Sequence, residues 1–241
     1  MKALLKILIP VIGGLVLSNP AFSQNSVPHE MLGSGQADNY DSVRLSHARH
    51  KLLPPGYEKE TLEALSHFPE LKNVTIRFKI KKSFSTLKTR PGFFSALMPK
   101  GHRSYIIVIS NKTIQKLMPL MFSHLSYEAR VGVIGHELSH VVDLSGKSTW
   151  QCFKVLVGHL SASYLDHFEY NTDMICIRHG LGKDLEAWSS YIRNTMHTAF
   201  WRGSDYVNKN NAGHERYMNP STIEKNIGAT RQAGNSNAHN N

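Results

Sequence analysis

The chain predicts an α+β domain, a small antiparallel or mixed sheet followed by a mainly helical half, on three observations. Between residues 74 and 109 the apolar residues either alternate or run continuously over short stretches, as strands require. From about Pro119 to Phe200 they recur at three- and four-residue spacing, the period of helices. The strand-like block precedes the helical block and does not interleave with it, which favours segregated layers over a parallel α/β sheet.

Taken in order, Met1-Lys2-Ala3-Leu4-Leu5-Lys6 is a charged start, Ile7 to Leu17 a short apolar run, and Ala21-Phe22-Ser23 an exit of small residues. This pattern predicts a secretory signal over residues 1–23, cleaved near Ser23-Gln24, and hence a periplasmic or secreted protein. The alternative is an uncleaved N-terminal membrane anchor. No later segment approaches 18 consecutive apolar residues, so no spanning helix is expected after cleavage. Residues 24–56 are polar and broken by Pro28, Gly33, Gly35, Pro54, Pro55 and Gly56, which reads as an extended lead-in that could also mask a cleft.

Residues 57–228 are expected to form the folded domain. Tyr57 to Phe68 suits a helix, with Leu62, Leu65 and Phe68 on one side and Pro69 as its stop. Val74, Ile76, Phe78 and Ile80 alternate with polar residues, the mark of a half-buried strand. Phe84 to Lys88 and Phe93 to Met98 suit further strands, interrupted at Arg90-Pro91-Gly92, and Tyr105 to Ile109 reads as a central strand. Asn111-Lys112-Thr113 opens a short helix ending near Met118-Pro119. A short helix begins at Ser221, and residues 229–241, rich in Asn, Gly and Ser, are expected to be a disordered tail.

The helical half carries the chemistry. Ser126 is a good N-cap, and Val131, Ile134, Leu138, Val141 and Val142 then recur at helical spacing around His136-Glu137-Leu138-Ser139-His140. Residues four apart lie nearly above one another on a helix, so both imidazoles project from one face and can hold one zinc ion. Glu137 can then reach a water at the metal without being a ligand. A tetrahedral site needs a third protein ligand. Asp143-Leu144-Ser145-Gly146-Lys147 excludes the pattern in which a third histidine follows closely. Glu169 on a second helix is the better candidate, with Asp173 one turn on placed to accept a ring N–H from a ligating histidine. Asp143, His159, Asp166, His167 and His179 are its rivals.

At these residues the chain resembles the gluzincin metallopeptidases, most of all the branch containing the CAAX prenyl proteases and their soluble relatives. Val133-Ile134-Gly135-His136-Glu137-Leu138-Ser139-His140 matches that family's zinc helix, and Glu169-Tyr170-Asn171-Thr172-Asp173 followed by Gly180 matches its second helix. Phe94 to Pro99 and Tyr105 to Ser110 are more weakly similar to its paired strands, so the likeness covers roughly residues 74–182. Thr172 stands where the family usually has Ala, and the interval from His140 to Glu169 is shorter than in many members. The resemblance implies a zincin-like fold and one zinc ion per chain on His136, His140 and Glu169. It also implies Glu137 as general base, Asp173 behind a ligand, and a zinc-dependent endopeptidase acting on peptides or proteins.

Other features leave alternatives. Ser95, Ala96 and Leu97, within residues 93–98, are candidates for a sheet edge that holds an extended peptide. His214, Arg216 and Tyr217 are candidate donors to a developing oxyanion. Cys152 and Cys176 either form a disulfide, as an exported protein permits, or remain two buried thiols. The net charge of +10 is scattered and matches no nucleic-acid motif; it favours ordinary solubility, with association with an anionic envelope surface as the alternative. Two other functions fit the same motif: a catalytically silent binding protein on this scaffold, and a zinc hydrolase of a non-protein envelope amide.

Overall fold

The computed structural model describes residues 46–92, 95, 98–204 and 215–238. The segment 1–23 expected to be a signal, most of the lead-in, and His214, Ala96 and Leu97 lie outside the described residues.

Among the described residues, four strands form one mixed sheet, β1 (Lys51–Leu52), β2 (Thr75–Lys81), β3 (Leu87–Pro91) and β4 (Ser104–Ser110), in the spatial order β1-β2-β4-β3. β1 and β4 both run parallel to β2, and β3 is antiparallel to β4 with Leu87 opposite Ile109 and Pro91 opposite Tyr105. β2 alternates, burying Ile76 and Phe78. β4, an interior strand, is buried along nearly all its length, and its Tyr105, Ile107 and Ile109 join the main core.

β1 departs from the expected lead-in: two residues of that segment join the sheet. The Lys51 ammonium fastens them, donating to the carbonyls of Leu71 at 2.9 Å and Val74 at 2.7 Å. The strand expected over Phe84–Lys88 lies a few residues later, at Leu87–Pro91. Phe84 is exposed, and Pro91, which has no N–H to donate, is tolerated because β3 is an edge.

The helices are α1 (Glu58–Ser66), α2 (Tyr127–Gly146), α3 (Thr149–Gly158), α4 (Ala162–Cys176), α5 (Gly182–Met196) and α6 (Pro220–Ala238). The segment ending near Pro119 is a 3-10 turn over Gln115–Leu120. α2 begins where the sequence predicts, with the Ser126 hydroxyl accepting from Ala129 N. It is the central helix, packed by α1, α4, α5 and β3, and almost every side chain from Ala129 to Val141 is buried. Its closest approach is to α5 at Gly132, where a Cβ would stand 2.1 Å from the Asp184 carbonyl oxygen. Only glycine admits that contact.

One further expectation is corrected, and one alternative that the sequence left open is decided. The tail is not disordered from residue 229: α6 continues to Ala238, carried by Ala229-Thr230-Arg231-Gln232-Ala233 after Ile223 is buried and Ile227 packs on Gly182. There is no disulfide. Cys176 is buried against Gly135 of α2, whereas Cys152 lies on α3 beside the Arg103 guanidinium, so the two thiols face different parts of the molecule.

Candidate metal centre

α2 places His136 and His140 on its inner side, one turn apart, with ring centroids 4.8 Å from each other. α4 crosses behind them and delivers Glu169, Thr172 and Asp173, which share one face at three- and four-residue spacing. A left-handed Gly180 (φ 86°) breaks the helical run after α4, and α5 returns to close the other side of α2.

The donor atoms of His136, His140 and Glu169 lie within 4.8 Å of one another, a spacing that fits one metal ion. Glu169 Oε2 is 3.2 Å from Nε2 of His136 and 3.2 Å from Nε2 of His140. The outer ring nitrogens define the tautomers. His136 Nδ1 donates to Asp173 Oδ1 at 2.8 Å, and Asp173 Oδ2 in turn accepts from Met218 N at 2.8 Å. His140 Nδ1 donates to Thr172 Oγ1 at 3.2 Å, because the Thr172 hydroxyl hydrogen is engaged by the Phe168 carbonyl at 2.9 Å. With both Nδ1 atoms protonated, both Nε2 atoms present lone pairs to a carboxylate oxygen that is itself buried and has no hydrogen-bond partner. Three converging lone pairs repel unless a cation lies between them, so the donor set fits a metal ion, and nitrogen and carboxylate donors suit zinc.

Without a cation, a proton takes that place. Burial by itself lowers the His136 pKa, but the Asp173 and Glu169 carboxylates outweigh it and lift it to about 10. For Glu169, burial pushes upward, yet the two imidazoles hold the carboxyl far below the usual carboxylate range.

The rival third ligands are all engaged elsewhere. Asp143 pairs with Lys147, Asp166 with Arg202 and Arg216, and His179 with Glu70. His159 and His167 turn their Nδ1 atoms to carbonyls of their own helical turns.

Glu137 is buried, and its Oε2 has no hydrogen-bond partner. With His136 it lines a cavity whose walls include Thr86, Leu87, Trp188, Ile192 and Tyr217. Of the three candidate oxyanion donors, Tyr217 faces this cavity, with its ring 5.5 Å from that of His136. Burial, then the charges of Glu169, Glu137 and Asp173, raise its phenol well above the ordinary value, so it stays a hydrogen-bond donor. Arg216 instead donates to Asp166 Oδ1 at 2.9 Å. Ser95 is not on a sheet edge: its hydroxyl accepts from Ser104 N and braces the entry to β4. The edge beside the cavity is β3 with the residues leading into it, tied to α2 by Thr89 Oγ1 donating to the Glu137 carbonyl at 3.1 Å.

Thr172 is the residue of this site that sequence reasoning missed. Its only signal was its presence one residue before Asp173, where a small apolar residue was expected. No protein-family model, curated protein or solved structure matches the chain.

Proposed function

We propose that this chain is a zinc-dependent endopeptidase of the gluzincin type, hydrolysing peptide bonds of polypeptides. One observation carries the reading: three buried donors converge with their lone pairs, while an unpartnered carboxylate, Glu137, stands beside them at the wall of a cavity. A purely structural zinc site is closed by four protein ligands and has no use for such a group.

When bound there, zinc supplies Lewis acidity, acidifying a water and polarising a carbonyl. The chain's own residues do the rest. Asp173 and Thr172 hold the two imidazoles in the tautomer that presents Nε2 inward. Glu137 accepts the proton of the attacking water at its carboxylate and returns it to the leaving amine. The Tyr217 O–H donates to the carbonyl oxygen as negative charge develops there. An extended peptide lies along the exposed side of β3, its main chain hydrogen-bonding to the edge.

The test is zinc content and casein hydrolysis of wild type and Glu137→Gln together. One zinc in each, with cleavage by wild type alone, is the expected result. Hydrolysis retained in Glu137→Gln removes the assignment of the base, and absence of zinc from wild type removes the reading itself.

A further inference from the structure

We propose that α3 docks the protein on the surface of an anionic lipid bilayer, lying in the headgroup region with its apolar face inward; the metal reading is not needed for this. Along α3, Trp150 (63% exposed), Phe153 (51%), Leu156 (45%) and Val157 (48%) all face solvent. At 100° per residue these four fall within an arc of about 120°. Val155, on the opposite side, is the helix's buried residue. Leu160 in the turn that follows, also half exposed, extends the stripe. Apolar residues scattered singly on a surface need no explanation, but a contiguous stripe along one helix does.

The helix is well made without a partner. A complete capping box joins Ser148 and Gln151, and Arg103 anchors its start through Thr149 Oγ1 at 3.1 Å and the Lys147 carbonyl at 2.7 Å. The exposed face is therefore a property of a fixed element.

Charge selects the occupant. From Ser148 to Leu165 the chain has no Asp or Glu, while Lys154 and His159 lie in that span. The bordering acids are already paired, Asp143 with Lys147 and Asp166 with Arg202 and Arg216. Lys154 Nζ lies 5.8 Å from the Trp150 ring, at the border of the apolar arc. The Met98 carbonyl accepts from Thr149 Oγ1 at 3.3 Å, which sets exposed Met98 and the exposed Lys100 near the same end of the helix. Tryptophan, phenylalanine and aliphatic residues flanked by lysine, without acids, are the composition of a helix that lies in a bilayer interface. Basic residues near an anionic leaflet strengthen the attraction, and salt screens it. α3, at 10 residues, is too short to cross the bilayer, so it docks on the surface.

Docking has a consequence for the metal centre. The His159 ring, just past α3, is 5.0 Å from that of Phe168, which stacks at 5.1 Å on His140. A docked α3 holds the site close to the headgroups.

The experiment uses the full chain and vesicles of phosphatidylethanolamine with phosphatidylglycerol, against phosphatidylcholine alone, with brominated acyl chains as quencher. Trp150 is the exposed tryptophan of the three, and residues 1–45 contain none, so bromine quenching reports α3 and not the leader. The expected result is quenching with the anionic vesicles that disappears in Trp150→Phe, and apparent vesicle affinity about tenfold or more weaker in Phe153→Glu/Val157→Glu and in high salt. Circular dichroism verifies that the variant remains folded. Unquenched Trp150 in anionic vesicles overturns the proposal. So does lipid-free dimerisation that the double variant abolishes, which would assign the face to a second copy.

Discussion

Asp173→Asn is the sharpest probe of the site, because one carboxylate serves two donors in a region closed to water. Asp173 is buried and accepts from His136 Nδ1 and from Met218 N, each at 2.8 Å. An asparagine amide offers one oxygen and one NH2 in the same space. If the oxygen takes the imidazole, the NH2 confronts the Met218 N–H. If the oxygen takes Met218, the NH2 makes His136 Nδ1 an acceptor, and its proton moves to Nε2, where the metal must bind. Either arrangement leaves a buried donor without an acceptor or the imidazole in the wrong tautomer, a cost of about 1–3 kcal/mol. Loss of such a hydrogen bond behind a metal ligand typically weakens affinity about 10–100-fold, which agrees with that cost. The assay is a competition titration of metal-depleted protein with zinc against a chromophoric chelator, with thermal unfolding of the metal-free form in parallel. Zinc affinity should fall by roughly one to two orders of magnitude. An affinity within twofold of wild type in a folded variant would refute the role of Asp173 in orienting His136.

Four further outcomes follow from the same geometry. Thr172→Ala should leave the His140 ring N–H without its acceptor and weaken zinc binding about tenfold, whereas Thr172→Ser should retain it; equal affinities for the two variants would sink that assignment. Zinc affinity should fall as pH falls, about tenfold per unit between pH 6 and 8, because each zinc displaces the proton that Asp173 and Glu169 hold on His136 up to about pH 10; a flat titration would refute it. The sign for the metal-free chain is the reverse: the raised His136 pKa adds stability that is complete below 6.5 and is lost as pH rises through about 10. Gly132→Ala should destabilise the fold by about 1–3 kcal/mol or more in denaturant titrations, since its Cβ would meet the Asp184 backbone and no side-chain rotation relieves it. Unchanged stability would mean that α2 and α5 do not approach as closely as 2.1 Å implies.

What the sequence determines by itself is what depends on neighbours along the chain. Helical periodicity and a serine cap define α2, and a separation of four residues puts His136 and His140 on one side of it whatever surrounds the helix. Alternation in β2 and the continuous apolar run in β4 likewise follow from local pattern. The spacing of Glu169 and Asp173 shows that they share a face, but not that the face meets α2. Tertiary structure decides that, because the partner of a side chain on a second helix depends on how closely and at what angle the helices pack. Here that packing brings Glu169 to both Nε2 atoms and leaves Asp166, His167 and His179 turned away. The same long-range geometry converts Thr172 into the acceptor for His140, joins Asp173 to Met218, and makes Leu87–Pro91 the sheet edge beside the cavity. It also separates Cys152 from Cys176. None of these contacts has a local signature, because each joins residues far apart in the chain, whose meeting is governed by burial and by which donors remain to be satisfied.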